Sequence, residues 1–232
     1  MNLVLTIAIG DDCRRIASIT HPTFRTYADR IGASFHCISE VLLSESSPIW
    51  EKFQIYDLLG KYDRVLYVDT DILISWDAPD LFQLVPQSHL GLFEEGHCTD
   101  RGIELLQAAA NAYGEDLSRW NGKYYNAGVI MASRCHRDVF IPPEKQIQTS
   151  CFIDQDYINL RIAKSGFDIF SLDHRFNHMS CTPGDRLKSY FIHYAGGGWS
   201  EADTGEKSRI DRTIDTMKKD LHILSLLQEY DR

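Results

Sequence analysis

The spacing of apolar residues changes period along this chain, and each change marks an element. "LVLTIAIG", residues 3–10, is a near-continuous apolar run rich in β-branched residues, which predicts a first buried strand. Apolar residues then recur at helical spacing at Ile16, Ile19, Phe24, Tyr27 and Ile31. Asp11 or Asp12 is the expected cap of this helix, Gly32 its stop, and Pro22 a kink or the start of a second segment. "SFHCIS" reads as strand two. Ser46, Ser47 and Pro48 open a helix over "IWEKFQIYDLLGKY", with Trp50, Phe53, Leu58 and Leu59 on its apolar face, and "RVLYV" is strand three. Further on, "HLGLFEE" and "YYNAGVIMAS" are strands, with a helix and loop, "GIELLQAAANAYGEDLSRW", between them. "IDQDYINLRIAKSG" is a helix ended by Gly166, and "DIFSL" and "SYFIHYAG" are short strands. Strand–helix alternation of this kind predicts an α/β fold: a mostly parallel central sheet with helices on both faces. Ile210, Ile214, Met217, Leu221 and Leu224 keep helical spacing among balanced charges, so residues 205–232 are expected as a C-terminal helix packed on the core. No repeat or linker interrupts the pattern, and residues 1–232 read as one domain.

One stretch breaks the apolar logic. In "RVLYVDTDILIS", residues 64–75, a core strand runs into Asp69 and Asp71, one residue apart, before the apolar run resumes at Ile72. In extended backbone, residues two apart point to one side, and ligands of open α/β sheets gather at the carboxyl ends of strands. Two neighbouring carboxylates stay charged cheaply only beside a cation. A hard divalent ion such as Mg²⁺ or Mn²⁺ takes oxygen ligands and bridges readily to a diphosphate. A solvated turn is the alternative reading of the same pair.

Charge sharpens that choice. With a formal net charge of −9 and no clustered basic stripe, the chain is a poor partner for nucleic acid, and any phosphate-bearing ligand would need a cation between it and the protein. Six scattered cysteines make no CxxC pair, which removes zinc-finger spacing. The start lacks the basic region of a secretory signal, and no apolar run approaches the roughly 20 residues of a membrane helix. Reduced thiols in a cytoplasmic protein without a membrane segment are therefore expected.

"EKFQIYDLLGKYDRVLYVDTDILI", "YYNAGVIMAS", "DQDYINL" and "FIHYAGG" follow one another in this chain. In that order they resemble family 8 glycosyltransferases, the glycogenin-like and bacterial galactosyltransferase-like enzymes of the GT-A (Rossmann-like) fold. The resemblance runs from roughly Asn2 to Gly198. It implies that Asp69 and Asp71 are the DxD pair, with Thr70 between them, and that His193 is the third metal ligand. An imidazole beside two carboxylates suits Mn²⁺, with Mg²⁺ second. It further implies that Lys52 reaches the donor; that Thr6, Ala8 and Asp11 hold a uridine; that Asn126 and Ala127 line the sugar pocket; and that Asp154 and Gln155 lie beside the anomeric carbon, with Asp156 next in line.

Structural readings stand beside each of these. His193 is equally consistent with a hydrogen-bonded core histidine, Lys52 with a solvated helix lysine, Asn126 with a strand-edge hydrogen-bonder and Asp154 with a helix cap. Trp50, Phe53 and Tyr56 read as core rather than a stacking platform. His97 with Cys98 and Cys135 with His136 lack further ligand spacing. One departure from the family pattern matters: after "HYAG" the family continues to a lysine that touches the diphosphate, whereas Gly196, Gly197 and Gly198 run here to Trp199. Backbone amides, or Lys207, Arg209, Arg186 or Lys188, are the candidate replacements.

The activity implied is a retaining, Mn²⁺-dependent transfer of a hexose from a UDP-sugar to a glycan, lipid-linked or small-molecule acceptor. Same-face attack is favoured over a covalent intermediate on Asp154, and the segment between Gly96 and Asn121 is the expected acceptor-side lid. The rivals are a nucleotidyltransferase acting on a sugar phosphate and a non-catalytic sugar-nucleotide-binding protein.

Overall fold

The computed structural model describes residues 1–43, 47–97, 102–200, 202 and 205–230; Ser46, Cys98 and residues 231–232 lie outside them. Its centre is a six-stranded sheet in the order β2-β1-β3-β6-β5-β7. Strand β1 (Asn2–Ile7) lies parallel between β2 (Ser34–Ile38) and β3 (Arg64–Val68). Strand β6 (Tyr125–Ser133) runs antiparallel both to β3 and to β5 (Leu90–Glu94), and β7 (Ile169–Ser171) is parallel to β5. The mostly parallel sheet expected from the strand–helix alternation is thus present, with β6 as its one reversed strand.

Side chains alternate across this sheet. Leu3, Leu5, Val65 and Tyr67 join one core cluster, while Val4, Leu66 and Val68 join another on the opposite face. Helix α2 (Ile55–Lys61), helix α4 (Gly102–Tyr113) and helix α5 (Ile153–Ser165) cover the first face. Helix α1 (Asp11–Arg30) covers the second with Phe24, Tyr27 and Ala28. The residues expected as one helix over 49–62 instead form a 3₁₀ segment, Pro48–Gln54, followed by α2. Trp50 and Phe53 on that segment are core residues.

Two expectations about α1 are corrected. Pro22 does not start a second segment: the helix runs through it from Asp11 to Arg30, with tertiary hydrogen bonds on both sides of the proline. The Thr20 hydroxyl donates to the Thr70 carbonyl at 2.7 Å, and the Ile74 N–H donates to the Thr23 hydroxyl at 3.2 Å. Nor do the aspartates cap the helix: Gly10 occupies the cap position at φ 90°, and Asp11 and Asp12 fall in the first turn, where their charge complements the helix dipole.

The segment that matters most lies outside the main sheet. Strand β4 (Ile72–Ile74) pairs antiparallel with strand β8 (Phe191–His193) in a separate two-stranded sheet, with Ile72 opposite His193 and Leu73 opposite Ile192. Leu73, Ile192 and Tyr194 pack with Ile16 and Ile19 of α1 and with Ile214 and Met217 of the C-terminal helix. After the short helix α3 (Leu81–Leu84), that C-terminal helix, α6 (Arg209–Tyr230), is the last element. The segment expected as a lid is in part core, since α4 buries Leu106, Ala109 and Ala110, and a Cβ on Gly102 would stand 2.4 Å from Tyr124. No helix among the described residues is long and apolar enough to cross a membrane. Cys13, Cys37, Cys135 and Cys151 are free thiols.

The β4–β8 ribbon is too short to be stable alone and depends on its apolar support. Leu73→Ala, at a fully buried position, is expected to cost about 2–5 kcal/mol in urea unfolding.

Candidate functional site

At the carboxyl ends of β1 and β3 opens a cavity of about 400 Å³. Asp69 and Asp71 follow β3 directly, and the β4–β8 register carries His193 to the same wall. His193 Nε2 lies 3.3 Å from Asp71 Oδ1 and 3.8 Å from Asp69 Oδ2. One ligand atom from each of the three residues falls within 4.8 Å of the others. Two carboxylate oxygens and an imidazole nitrogen, half-buried and convergent, are a donor set that a divalent cation fits. The chain also makes room for the imidazole: a Cβ on Gly128 would stand 2.4 Å from His193 Cε1.

Electrostatics follow from this crowding. Burial pushes His193 toward the neutral form, but Asp71 and Asp69 outweigh it and hold its pKa above the ordinary imidazole value. Burial likewise pushes the Asp71 carboxyl up, and His193 with Lys52 more than reverses it, so Asp71 sits below the ordinary carboxylate range. The Tyr67 hydroxyl, raised by burial and by Asp69, donates to Asp69 Oδ1 at 2.6 Å.

Lys52 is a buried cation. Its ammonium lies 2.5 Å from Asp154 and 3.5 Å from Asp69, and it donates to the Ala127 carbonyl at 3.0 Å. An ammonium has three donors, and each here is directed at a protein acceptor. Burial lowers its pKa, yet Asp154 and Asp69 outweigh that and keep it charged. The solvated helix lysine does not describe this residue; it lines the cavity and ties Asp154 to the DxD loop.

An irregularity in the sheet supplies the remaining backbone. Between Leu92 and Phe93 the β5–β6 register slips, from Leu92 opposite Ile130 to Phe93 opposite Asn126. Ala127 and Gly128 are thereby released from pairing with β5, and site residues take up their polar groups. Gln155 Oε1 accepts from the Ala127 N–H at 3.0 Å. Asn126 Oδ1 accepts from the Gly128 N–H at 2.8 Å, and the Asp69 N–H donates to the Gly128 carbonyl at 2.8 Å.

Of the residues singled out in the sequence, Lys52, Asp69, Thr70, Asp71, Asn126, Asp154, Gln155, His193 and Gly196 line the cavity together. Thr6, Ala8 and Asp11 do not. Strand alternation turns Ile7 and Ile9 to the cavity instead, with Cys13 beyond them, while the Asp11 side chain is exposed and paired with Arg14. Ala127 contributes through its backbone. Asp156 is turned away from the cavity, accepting from Tyr124 and Ser150, and burial raises its pKa. Two of the basic residues considered as replacements for the missing lysine are engaged elsewhere: Arg186 makes a bidentate pair with Asp220 at 2.7 and 2.9 Å, and Lys207 meets Asp215 at 2.6 Å. Glu95 and Asn177 went unnoticed in the sequence, although both are buried within this network. Glu95 follows directly on a strand's carboxyl end, which was a usable signal; Asn177 follows a 3₁₀ turn and had none.

Residues 43–134 match the family model for glycosyl transferase family 8. The chain resembles the family 8 glycosyltransferases. Among solved structures, a glycosyltransferase involved in glycosylation of the major capsid of PBCV-1 superposes with a TM-score of 0.61 at 13% identity, over 94% of this chain and 98% of that one. An active-site mutant of LgtC gives 0.52 at 15% identity, over 93% and 94% of the two chains. The apo form of the glycosyltransferase GlyE of Streptococcus pneumoniae gives 0.52 at 14%, over 94% of this chain and 63% of that one. At these identities the likeness is one of fold, and the fold is GT-A. No curated protein sequence matches the chain.

Two outcomes follow from the family 8-like site. Lys52→Met leaves Asp154 and Asp69 without their cation and is expected to cost about 3–5 kcal/mol in urea unfolding, whereas adding Asp154→Leu recovers part of the loss. His21, whose Nε2 lies 3.0 Å from the Thr70 hydroxyl, has its pKa lowered to about 4, by burial first and by Arg25 second. Its protonation therefore favours the unfolded chain: the stability it contributes is complete above the ordinary histidine value and is lost as pH falls from about 6.5 toward 4. Between pH 7 and pH 5, urea unfolding should show a smaller loss of stability for His21→Gln than for the wild type.

Proposed function

We propose that the protein is a metal-dependent glycosyltransferase, built as a single domain, that moves a hexose from a UDP-sugar to a hydroxyl acceptor with retention of anomeric configuration. The observation that carries this reading is the convergence of Asp69, Asp71 and His193 on a cavity that also holds Lys52, Asp154 and Gln155. Asp69, Asp71 and His193 would hold Mn²⁺, with Mg²⁺ as the second choice. A divalent cation held there supplies positive charge against the negative charge that grows on a departing diphosphate.

The remaining work falls to the chain. Ile7, Ile9, Pro48, Ile49 and Phe152 give the cavity an apolar portion suited to a nucleobase. Gly196 (φ 64°), on the cavity wall, adopts left-handed backbone that lets its amide group approach a phosphate oxygen without a side chain between them, while the Gly197 and Gly198 N–H groups donate to the Tyr194 and Ala195 carbonyls. Gln155, fixed through both ends of its amide, and Asp154, fixed by Lys52, position the sugar. Pairing with Lys52 at 2.5 Å stabilises the Asp154 carboxylate and weakens it as a nucleophile. That favours same-face attack: the acceptor oxygen bonds to the anomeric carbon as the carbon–phosphate-oxygen bond breaks, and the acceptor proton passes to the departing phosphate oxygen.

The test is a panel of nucleotide sugars with Mn²⁺ and with chelator, read as nucleoside diphosphate release and thermal shift. A UDP-sugar is expected to be turned over only with the ion, and Asp71→Asn to lower turnover on the order of 10²–10³-fold. Pyrophosphate release from a nucleoside triphosphate and a sugar phosphate would make it a nucleotidyltransferase. Metal-independent binding without turnover would make it a sugar-nucleotide-binding protein.

A further inference from the structure

Behind His193 a row of buried amides runs to a carboxylate outside the cavity lining. His193 Nδ1 lies 2.7 Å from Asn177 Oδ1. Asn177 Nδ2 donates to Asn126 Oδ1 at 2.8 Å, and Asn126 Nδ2 donates to Glu95 Oε2 at 3.0 Å. The same Glu95 oxygen accepts from Gln155 Nε2 at 2.9 Å. Glu95, Asn126, Asn177 and His193 are all less than one-tenth exposed.

Hydrogen-bond chemistry allows this row only one direction. A carboxylate is an acceptor alone, so Asn126 must turn its NH₂ to Glu95. The Gly128 N–H, a donor alone, meets the other end of the same amide at 2.8 Å and requires the oxygen there. Asn177 must then present its NH₂ to Asn126 and its oxygen to His193. An amide oxygen carries no hydrogen, so His193 Nδ1 must bear the proton, and in the neutral ring the Nε2 lone pair faces Asp69 and Asp71.

We infer that Glu95 is a positioning residue which, through Asn126 and Asn177, fixes the tautomer and ring orientation of His193 and so makes Nε2 the cation-ligating atom. The inference rests on the metal-site reading of Asp69, Asp71 and His193 for its consequence, but not for its geometry. Partners behind a ligating imidazole usually stop one hydrogen bond away. Here the direction is set up to three side chains back, by Glu95 together with the Gly128 N–H on Asn126, and because Glu95 also holds Gln155, one carboxylate aligns the cation site and the sugar-positioning amide together.

The experiment uses the full chain labelled with ¹⁵N-histidine at alkaline pH, where the ring is neutral, with the His193 signal assigned by its loss in His193→Gln. Ring ¹⁵N shifts report which nitrogen carries the proton, and Mn²⁺ affinity is measured separately by titration. Wild type is expected to show the proton on Nδ1 alone. Glu95→Leu should give a mixture of tautomers and bind Mn²⁺ about 10–100-fold more weakly. Glu95→Gln, whose amide oxygen can accept the same two bonds, should restore both. In an Asn177→Asp background, where a carboxylate accepts from Nδ1 directly, Glu95→Leu should no longer alter the tautomer; a merely structural role for Glu95 would not predict that. A proton on Nε2 in the wild type overturns the inference, as does a Glu95→Leu protein with unchanged tautomer and affinity. Wild type with the Nδ1 proton but no affinity for Mn²⁺ or Mg²⁺ would remove the metal reading and leave the relay standing.

Discussion

Three residue pairs of antiparallel sheet hold this site together. Ile72 opposite His193, Leu73 opposite Ile192 and Ile74 opposite Phe191 bring a histidine more than 120 positions away in the chain against the aspartates that end β3. The backbone continues the contact past the strand, since the Tyr194 N–H donates to the Asp71 carbonyl at 2.9 Å. Side-chain direction has period two in a strand, so a slip of one residue in this pairing would turn His193 away from the acids altogether. The apolar cluster beneath, drawn from α1, β4, β8 and α6, opposes that slip: Leu73 and Ile192 are fully buried in it, and a one-residue shift of β8 would put His193 where Ile192 packs. The C-terminal helix therefore contributes to the site without touching it.

Charge is arranged around this frame as two linked pairs. Lys52 neutralises Asp154 and leans on Asp69, while His193 faces Asp71, and both cations are held above their ordinary pKa by the acids they meet. Left alone, carboxylates this close would destabilise the fold. In a protein of net charge −9, the cavity sets the Lys52 ammonium and the His193 imidazole among three acids. Where β5 and β6 slip, backbone groups of Ala127 and Gly128 meet Gln155, Lys52 and Asn126, while the Gly128 carbonyl continues the β3–β6 ladder to Asp69.

Sequence periodicity foretold the main sheet well, since β1, β3 and β6 are long apolar runs whose burial dictates strand over any alternative. His193 was named only by the family resemblance of "IHYAG", whereas the DxD pair was legible because it stands at the end of such a run. Pairings between distant segments were not. Nothing local in "SYFIHYAG" shows that its partner is "DILI" rather than a strand of the main sheet, and only three of its residues form strand. On the first strand the resemblance names Thr6 and Ala8, while Ile7 and Ile9 line the cavity; a fully buried strand carries no polar alternation to fix its facing. Lys52 was seen but its role was not: a lysine on an amphipathic segment looks solvated until the fold buries two acids against it.

The loop after β8 shows how a site can replace a side chain with backbone. Trp199 holds a left-handed conformation, φ 59°, which is costly for a residue with a Cβ and persists only when its surroundings enforce it. They do: its ring packs on Tyr194 and His178 and lies under the Arg186 guanidinium, which Asp220 of α6 holds in turn. Gly198 is pressed close, its would-be Cβ 2.8 Å from the Ser180 hydroxyl, so the end of the glycine run is pinned. Gly196, in contrast, has open space on its cavity side. A lysine at position 199 would surrender this aromatic anchor to place one flexible charge; the tryptophan instead pins the turn in which the Gly197 and Gly198 N–H groups donate to the Tyr194 and Ala195 carbonyls, leaving Gly196 at the edge of the cavity. A backbone donor held in place in this way loses less entropy on meeting an anion than a mobile side chain does.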